Sequence, residues 1–154
     1  MKTFPKILTL VVMVPILVAA ADKTLANDPL TGLPLISWPD RLGLGNAPMR
    51  LDETTICKSK MQTDFYTPNG VKVAATVAWY SSKLSGFRKI HGYVKQRSQD
   101  LFYKTDGSVI VSIAGSHGND GEDTEVHGIV YETFQPALSE KTIVGMNTEN
   151  IVCP

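Results

Sequence analysis

The sequence predicts an α+β domain: one main amphipathic helix packed on an antiparallel sheet of about five strands, in the order strand, helix, meander. Three observations predict it. The apolar period is two around residues 58–66, changes to a helical stripe over 71–84, and returns to short β runs afterwards. The later runs are separated by turn-length segments, which imply antiparallel neighbours. No alternation of helices with strands occurs that would build a parallel sheet.

The first element is a strand over 58–66, with Met61, Thr63 and Phe65 on one face and Lys60, Gln62 and Asp64 on the other. Thr67-Pro68-Asn69-Gly70 ends it with turn formers. In the helix, Val73, Val77, Tyr80 and Leu84 make the apolar stripe, thickened by Ala74 and Ala78. Thr67 or Asn69 is placed to cap its start, and Ser85-Gly86 supplies a stop in which Gly86 is free to take positive φ. Strands follow near 90–95, 99–104, 109–115 and 125–134. Asp106-Gly107 forms the tight turn inside Thr105–Ser108, and residues 116–124 form a longer acidic connection. Pro136 ends the last long strand, and Ser139-Glu140-Lys141 opens a short helical turn. One helix across one face of the sheet gives two layers.

The chain opens with Lys2 and Lys6, an apolar run from Ile7 to Ala21 broken only by Thr9, and then Asp22-Lys23. A basic start, a short apolar core and the small residues Ala19-Ala20-Ala21 are the parts of a cleavable secretory signal, expected to be cut after Ala21. The run is short for a membrane span and contains Pro15. The expected location is periplasmic or secreted, with no membrane span after cleavage.

Lys and Arg number 15 and Asp and Glu number 15. Removing the signal takes away two bases and no acid, so the mature chain is slightly acidic. Without a cationic cluster it has little electrostatic attraction for nucleic acid. Cys57 and Cys153 are the two cysteines. In an oxidising compartment such a pair forms a disulfide, here enclosing nearly the whole domain; free thiols or a metal pair are the alternatives. Residues 22–55 are rich in proline and glycine and read as a loosely attached arm ahead of a single domain over 56–154. Its Leu33, Leu35, Ile36 and Trp38 leave open that the arm drapes over the domain or docks on a partner.

Several stretches invite chemistry. Gly115-Ser116-His117-Gly118 lacks the first glycine of a nucleophile elbow and the helix that must follow the serine. Asn119, Asp120, Glu122 and Asp123 offer oxygens to calcium without matching an EF-hand. His117, Glu125 and His127, with Asp120 and Asp123, are the candidate transition-metal ligands, Glu125 and His127 sharing a strand face. Trp79, Tyr80 and Tyr93 are candidates for an aromatic ligand groove, against the ordinary role of such residues as core. No catalytic residue and no cofactor are assigned. Paired carboxylates for glycoside chemistry, phosphate-binding loops and dinucleotide glycines are absent from the sequence.

Asp64-Phe65-Tyr66-Thr67-Pro68, Val77-Ala78-Trp79-Tyr80 and Leu84-Ser85-Gly86-Phe87 resemble a segment of uncharacterised bacterial exported proteins, in which a strand and a helix precede a meander. The resemblance spans about residues 57–153 and consists of packing residues and a helix stop; it carries no activity. The expected function is an exported, non-enzymatic binding or envelope-accessory module with an unknown protein or envelope component as partner. The alternatives are a small metal-binding protein or metal-dependent enzyme using the 116–127 hairpin, and a secreted hydrolase inhibitor.

Overall fold

The computed structural model describes residues 26–39, 47–94, 97–115 and 124–154. Among the described residues six strands and two short helices follow one another: β1 (Met49–Ile56), β2 (Ser59–Tyr66), α1 (Val73–Lys83), β3 (Phe87–Val94), β4 (Arg97–Lys104), β5 (Val109–Gly115), β6 (Val126–Gln135) and α2 (Glu140–Met146). They form one sheet in the order β1-β2-β6-β5-β4-β3, every neighbouring pair antiparallel. The architecture is sheet-dominated α+β, with one strand more than the sequence predicts and a second helix, α2, where it predicts only a short helical turn.

The extra strand is β1, inside the segment expected to be an arm. Its register with β2 slips between Leu51 and Thr54, a bulge that breaks the alternation by which a strand is recognised. Ile56 faces Ser59, so Cys57 and Lys58 alone make the hairpin turn. Both hold positive φ, 47° and 67°, as a turn matching the twist of its strands requires. Neither is the Asn or Gly that such a turn favours, which hides the hairpin from sequence.

Residues 26–39 are not a loose arm. Leu35 and Trp38 are buried in the main core beside Tyr66, Tyr80, Phe102, Val111, Ile113, Ile129 and Tyr131. Asp28 fixes the segment by accepting from the Tyr66 hydroxyl at 2.8 Å and from Thr31 N at 2.8 Å. Tyr131 donates to the Pro34 carbonyl at 2.6 Å and shares a 2.6 Å bond with the Tyr80 hydroxyl. Proline and glycine bar this segment from regular structure, yet hydroxyls of Tyr131 on β6 and Tyr80 on α1 bond its backbone at Pro34 and Ile36.

Core residues alternate along the strands between two clusters. Phe102, Val111, Ile113 and Tyr131 belong to the side covered by α1 and the 26–39 segment, here face A. Leu101, Tyr103, Ile110 and Phe134 belong to the side covered by α2, here face B, where they meet Leu138 and Ile143. The expected two layers are therefore three, the third being thin. Burial on both faces also explains why Asp64, expected on a solvent face, is fully buried and held by Arg50 through two 2.7 Å bonds.

Tyr80 and Leu84 are buried as the helical stripe predicts, but Thr76 is buried while Ala74 and Ala78 are exposed. Thr76 is tolerated because its hydroxyl bonds the Lys72 carbonyl at 2.8 Å. The N-cap is Lys72 and not the expected Thr67 or Asn69; Val73 N–H is satisfied by the Thr124 carbonyl at 2.8 Å. Gly86 takes its expected positive φ, 84°. At the other tight turn Gly107 has φ 76°, and a Cβ there would meet the Leu138 carbonyl oxygen. α2 is capped by Ser139, whose oxygen accepts from Thr142 N at 3.2 Å.

Cys57 and Cys153 form a disulfide, joining the β1–β2 turn to the C-terminal segment. That segment runs back along α2: Asn150 N bonds the Gly145 carbonyl at 2.9 Å and Thr142 Oγ1 bonds the Val152 carbonyl at 2.9 Å. Among the described residues no helix is long and apolar enough to cross a membrane.

Candidate functional site

Among the described residues, face A is covered at one end. Cross-strand partners share a face, so its rows can be read from the register. Tyr66 and Ile129 form one row, Asp64 and Tyr131 the next, then Gln62 with Thr133 and Val109, then Lys60 with Gln135. α1 and the 26–39 segment cover the first two rows. Beyond them a groove of about 330 Å³ opens over Lys60, Gln62, Ser108, Val109, Thr133 and Gln135.

Its chemistry is polar recognition. Gln62 and Gln135 each bring a carboxamide with two donors and an acceptor, Thr133 and Ser108 bring hydroxyls, and Lys60 forms an exposed 3.4 Å ion pair with Glu53. The side chains stand on adjacent strands of one sheet, so their spacing is held by the backbone ladder. The Ser108 corner is braced by Asp106, which accepts from Ser108 N at 2.9 Å and Ser108 Oγ at 2.6 Å. Those bonds hold the Asp106 carboxyl below its usual range.

The row behind the groove is the Asp28 and tyrosine network. Burial, then the bond to Asp28, pushes the Tyr66 hydroxyl far up; burial and the Tyr80 neighbour do the same to Tyr131. Tyr80 is pushed up to about 12 by burial, offset by its bonds to Tyr131 and Ile36 N. All three are neutral donors at any physiological pH, and their partners lie within the fold. They anchor residues 26–39.

The sequence candidates are distributed otherwise. His117, Asp120 and Asp123 lie outside the described residues, as do Ser116, Asn119 and Glu122. His127 is the extra residue of a bulge, since Ala114 pairs Gly128 and Gly115 pairs Val126. It is exposed, as is Glu125, which forms a 3.8 Å ion pair with Lys72. Among the described residues no group of three or more His, Cys, Asp or Glu side chains stands close enough to hold a metal. Tyr80 is in the core, so it lines no groove. Trp79 packs edge-on against it at 4.8 Å with Lys83 over its ring, whereas Tyr93 is half exposed at the far sheet edge beside His91. The structure does not bring Tyr93 together with the other two.

Sequence reasoning placed Lys60 and Gln62 on an outward face but did not find the groove. Its residues come from β2, β6, the β4–β5 turn and the start of β5, and β2 pairs with β6 only through tertiary structure. No local spacing announces such a site.

Comparison with known protein families, with curated proteins and with solved structures finds no match to this chain.

Proposed function

We propose that this protein is an exported, non-enzymatic binding module that takes an extended peptide segment of a partner into the face A groove. The observation that supports it is the groove itself: a volume at the lower end of the ligand-site range, lined by carboxamides and hydroxyls on a rigid sheet. Carboxamides match the alternating donors and acceptors of a peptide backbone. The Lys60–Glu53 pair offers both charge signs at one end. The disulfide, the basic N-terminus and its apolar run suit an oxidising compartment outside the cytoplasm.

Selection of displayed peptides on the oxidised protein, repeated on a groove-filled Gln62→Trp/Thr133→Trp variant, tests this reading. Enrichment on the natural chain that the filled variant loses supports it. No enrichment, or equal enrichment on both proteins, overturns it.

A further inference from the structure

Face B carries a second feature, independent of the groove. Glu132 stands between Thr63 on β2 and Ile110 on β5, on the face opposite the groove. Its strand neighbours on that face are Val130 and Phe134, and the diagonal positions bring Met61, Phe65 and Ser112. Ile110 is fully buried, and Phe134, Thr63 and Ser112 are nearly so. Glu132 itself is half-buried.

Burial alone acts on this carboxyl and pushes it up to about 7; no charge or hydrogen bond offsets it. An unpaired acid in apolar surroundings is costly, and glutamine would fill the same space without that cost. Beyond it the covering of face B stops. Met49 and Leu51, facing Phe65 and Thr63 across β1–β2, are 56% and 46% exposed, and Phe65 and Val130 are half-buried. The result, among the described residues, is a carboxylate without a cation at the rim of an apolar surface. An exposed apolar surface rimmed by a polar group marks an interaction site.

We propose that this half of face B is a docking seat for a partner protein that inserts a lysine. The ammonium meets Glu132, with Thr63 and Ser112 hydroxyls beside it, and the methylene stem lies on Leu51, Phe65 and Val130. Charge complementarity selects this occupant, because a cation removes the cost that the fold otherwise carries. A lysine stem covers apolar surface while its head pairs.

Among the described residues, the other charges on face B do not supply that cation. Arg88 is bonded to Glu140 at 2.6 Å, with Tyr103 on the same carboxylate at 2.7 Å. Arg97 lies at the far end of β4, four strands from β1. Lys141 and Glu149, on α2 and after it, are exposed to solvent. From β1, β2, β5 and β6 the groups around Glu132 on this face are Leu51, Thr63, Phe65, Ile110, Ser112 and Val130, none of which titrates in the range concerned.

The test is an amide chemical-shift titration of the full oxidised protein with the tripeptide acetyl-Leu-Lys-Leu-amide and its norleucine analogue. At pH 8 the lysine peptide is expected to give saturable shifts at Thr63, Ser112 and Val130. Its affinity should fall about tenfold at pH 5.5 and in Glu132→Gln, and the norleucine peptide should bind no better than that variant does. Equal binding of the two peptides, unchanged binding in Glu132→Gln, or shifts confined to Gln62 and Thr133 would overturn the proposal. The last outcome would leave the groove reading standing. The Glu132→Gln chain is expected to fold, and Ser112→Ala offers a second, milder reduction of the same contact.

Discussion

The two faces of the sheet are closed by different means. Face A is covered by an eleven-residue helix and by irregular chain, and its strength comes from apolar burial plus tyrosine hydroxyls that bond the backbone and the Asp28 side chain of residues 26–39. Face B is covered by a helix of seven residues, far shorter than water supports alone. There a Ser139 cap, the backbone bonds of the C-terminal segment and the disulfide do what helix length cannot. Irregular chain can therefore close a core when strand side chains meet its polar groups, whereas a very short helix needs a covalent tie.

The largest expected effect separates the two mechanisms. Replacing both Cys57 and Cys153 by Ala opens a cross-link spanning 96 residues, which the chain-entropy account values at roughly 4–5 kcal/mol. Denaturant unfolding should report that loss, while hydrogen exchange of the folded variant should show β3, β4 and α2 amides losing protection before those at Tyr66 and Tyr131. Uniform loss over both faces would break the distinction.

Glu132 makes face B sensitive to pH. Its carboxyl is pushed from 4.5 to about 7 in the folded chain. Between those values the folded state keeps a proton that the unfolded state has lost, so stability falls as pH rises from about 4.5 to 7 and is level above. The full shift corresponds to at most about 3 kcal/mol, less with solvent screening of the partly exposed group. Glu132→Gln should raise stability at pH 8 and flatten the profile. A profile equally steep in the variant would place the titration elsewhere.

On face A, Tyr131→Phe removes the donor to Pro34 and the partner of the Tyr80 hydroxyl. A cost of about 1–3 kcal/mol is expected, with exchange quickening in residues 33–38 and little change in α2. The smallest effect lies at the turn between β1 and β2. Lys58→Gly relieves a left-handed residue at φ 67° and should stabilise by about 1 kcal/mol, read as a higher thermal midpoint. A lower midpoint would mean that the lysine stem contributes packing that outweighs its backbone.

Much of the meander was legible. Val109–Gly115 was expected at its observed limits, and β2, α1, β4 and β6 within a few residues, because their periodicity and flanking turns agree. The Asp106-Gly107 turn followed from residue chemistry alone. β1 was not legible, because its bulge and its Cys57-Lys58 turn both break local rules. The candidate site was less legible still: Gln62, Thr133 and Gln135 are ordinary polar residues until β2 and β6 pair. Glu132 likewise sits in a plain strand pattern and becomes unusual only when β2, β5 and β6 bring apolar neighbours to it.

The sequence by itself determined the elements whose causes are local: the period of α1, the stop at Gly86, the tight turn at Gly107, and the two cysteines available for a cross-link. Tertiary structure alone decided which strands pair, that residues 26–39 belong to the core, that one polar row remains open, and that one acid stands beside apolar neighbours. The reason is physical. Backbone geometry and side-chain period act over a few residues, whereas burial and the pairing of β2 with β6 depend on groups some seventy residues apart in the chain.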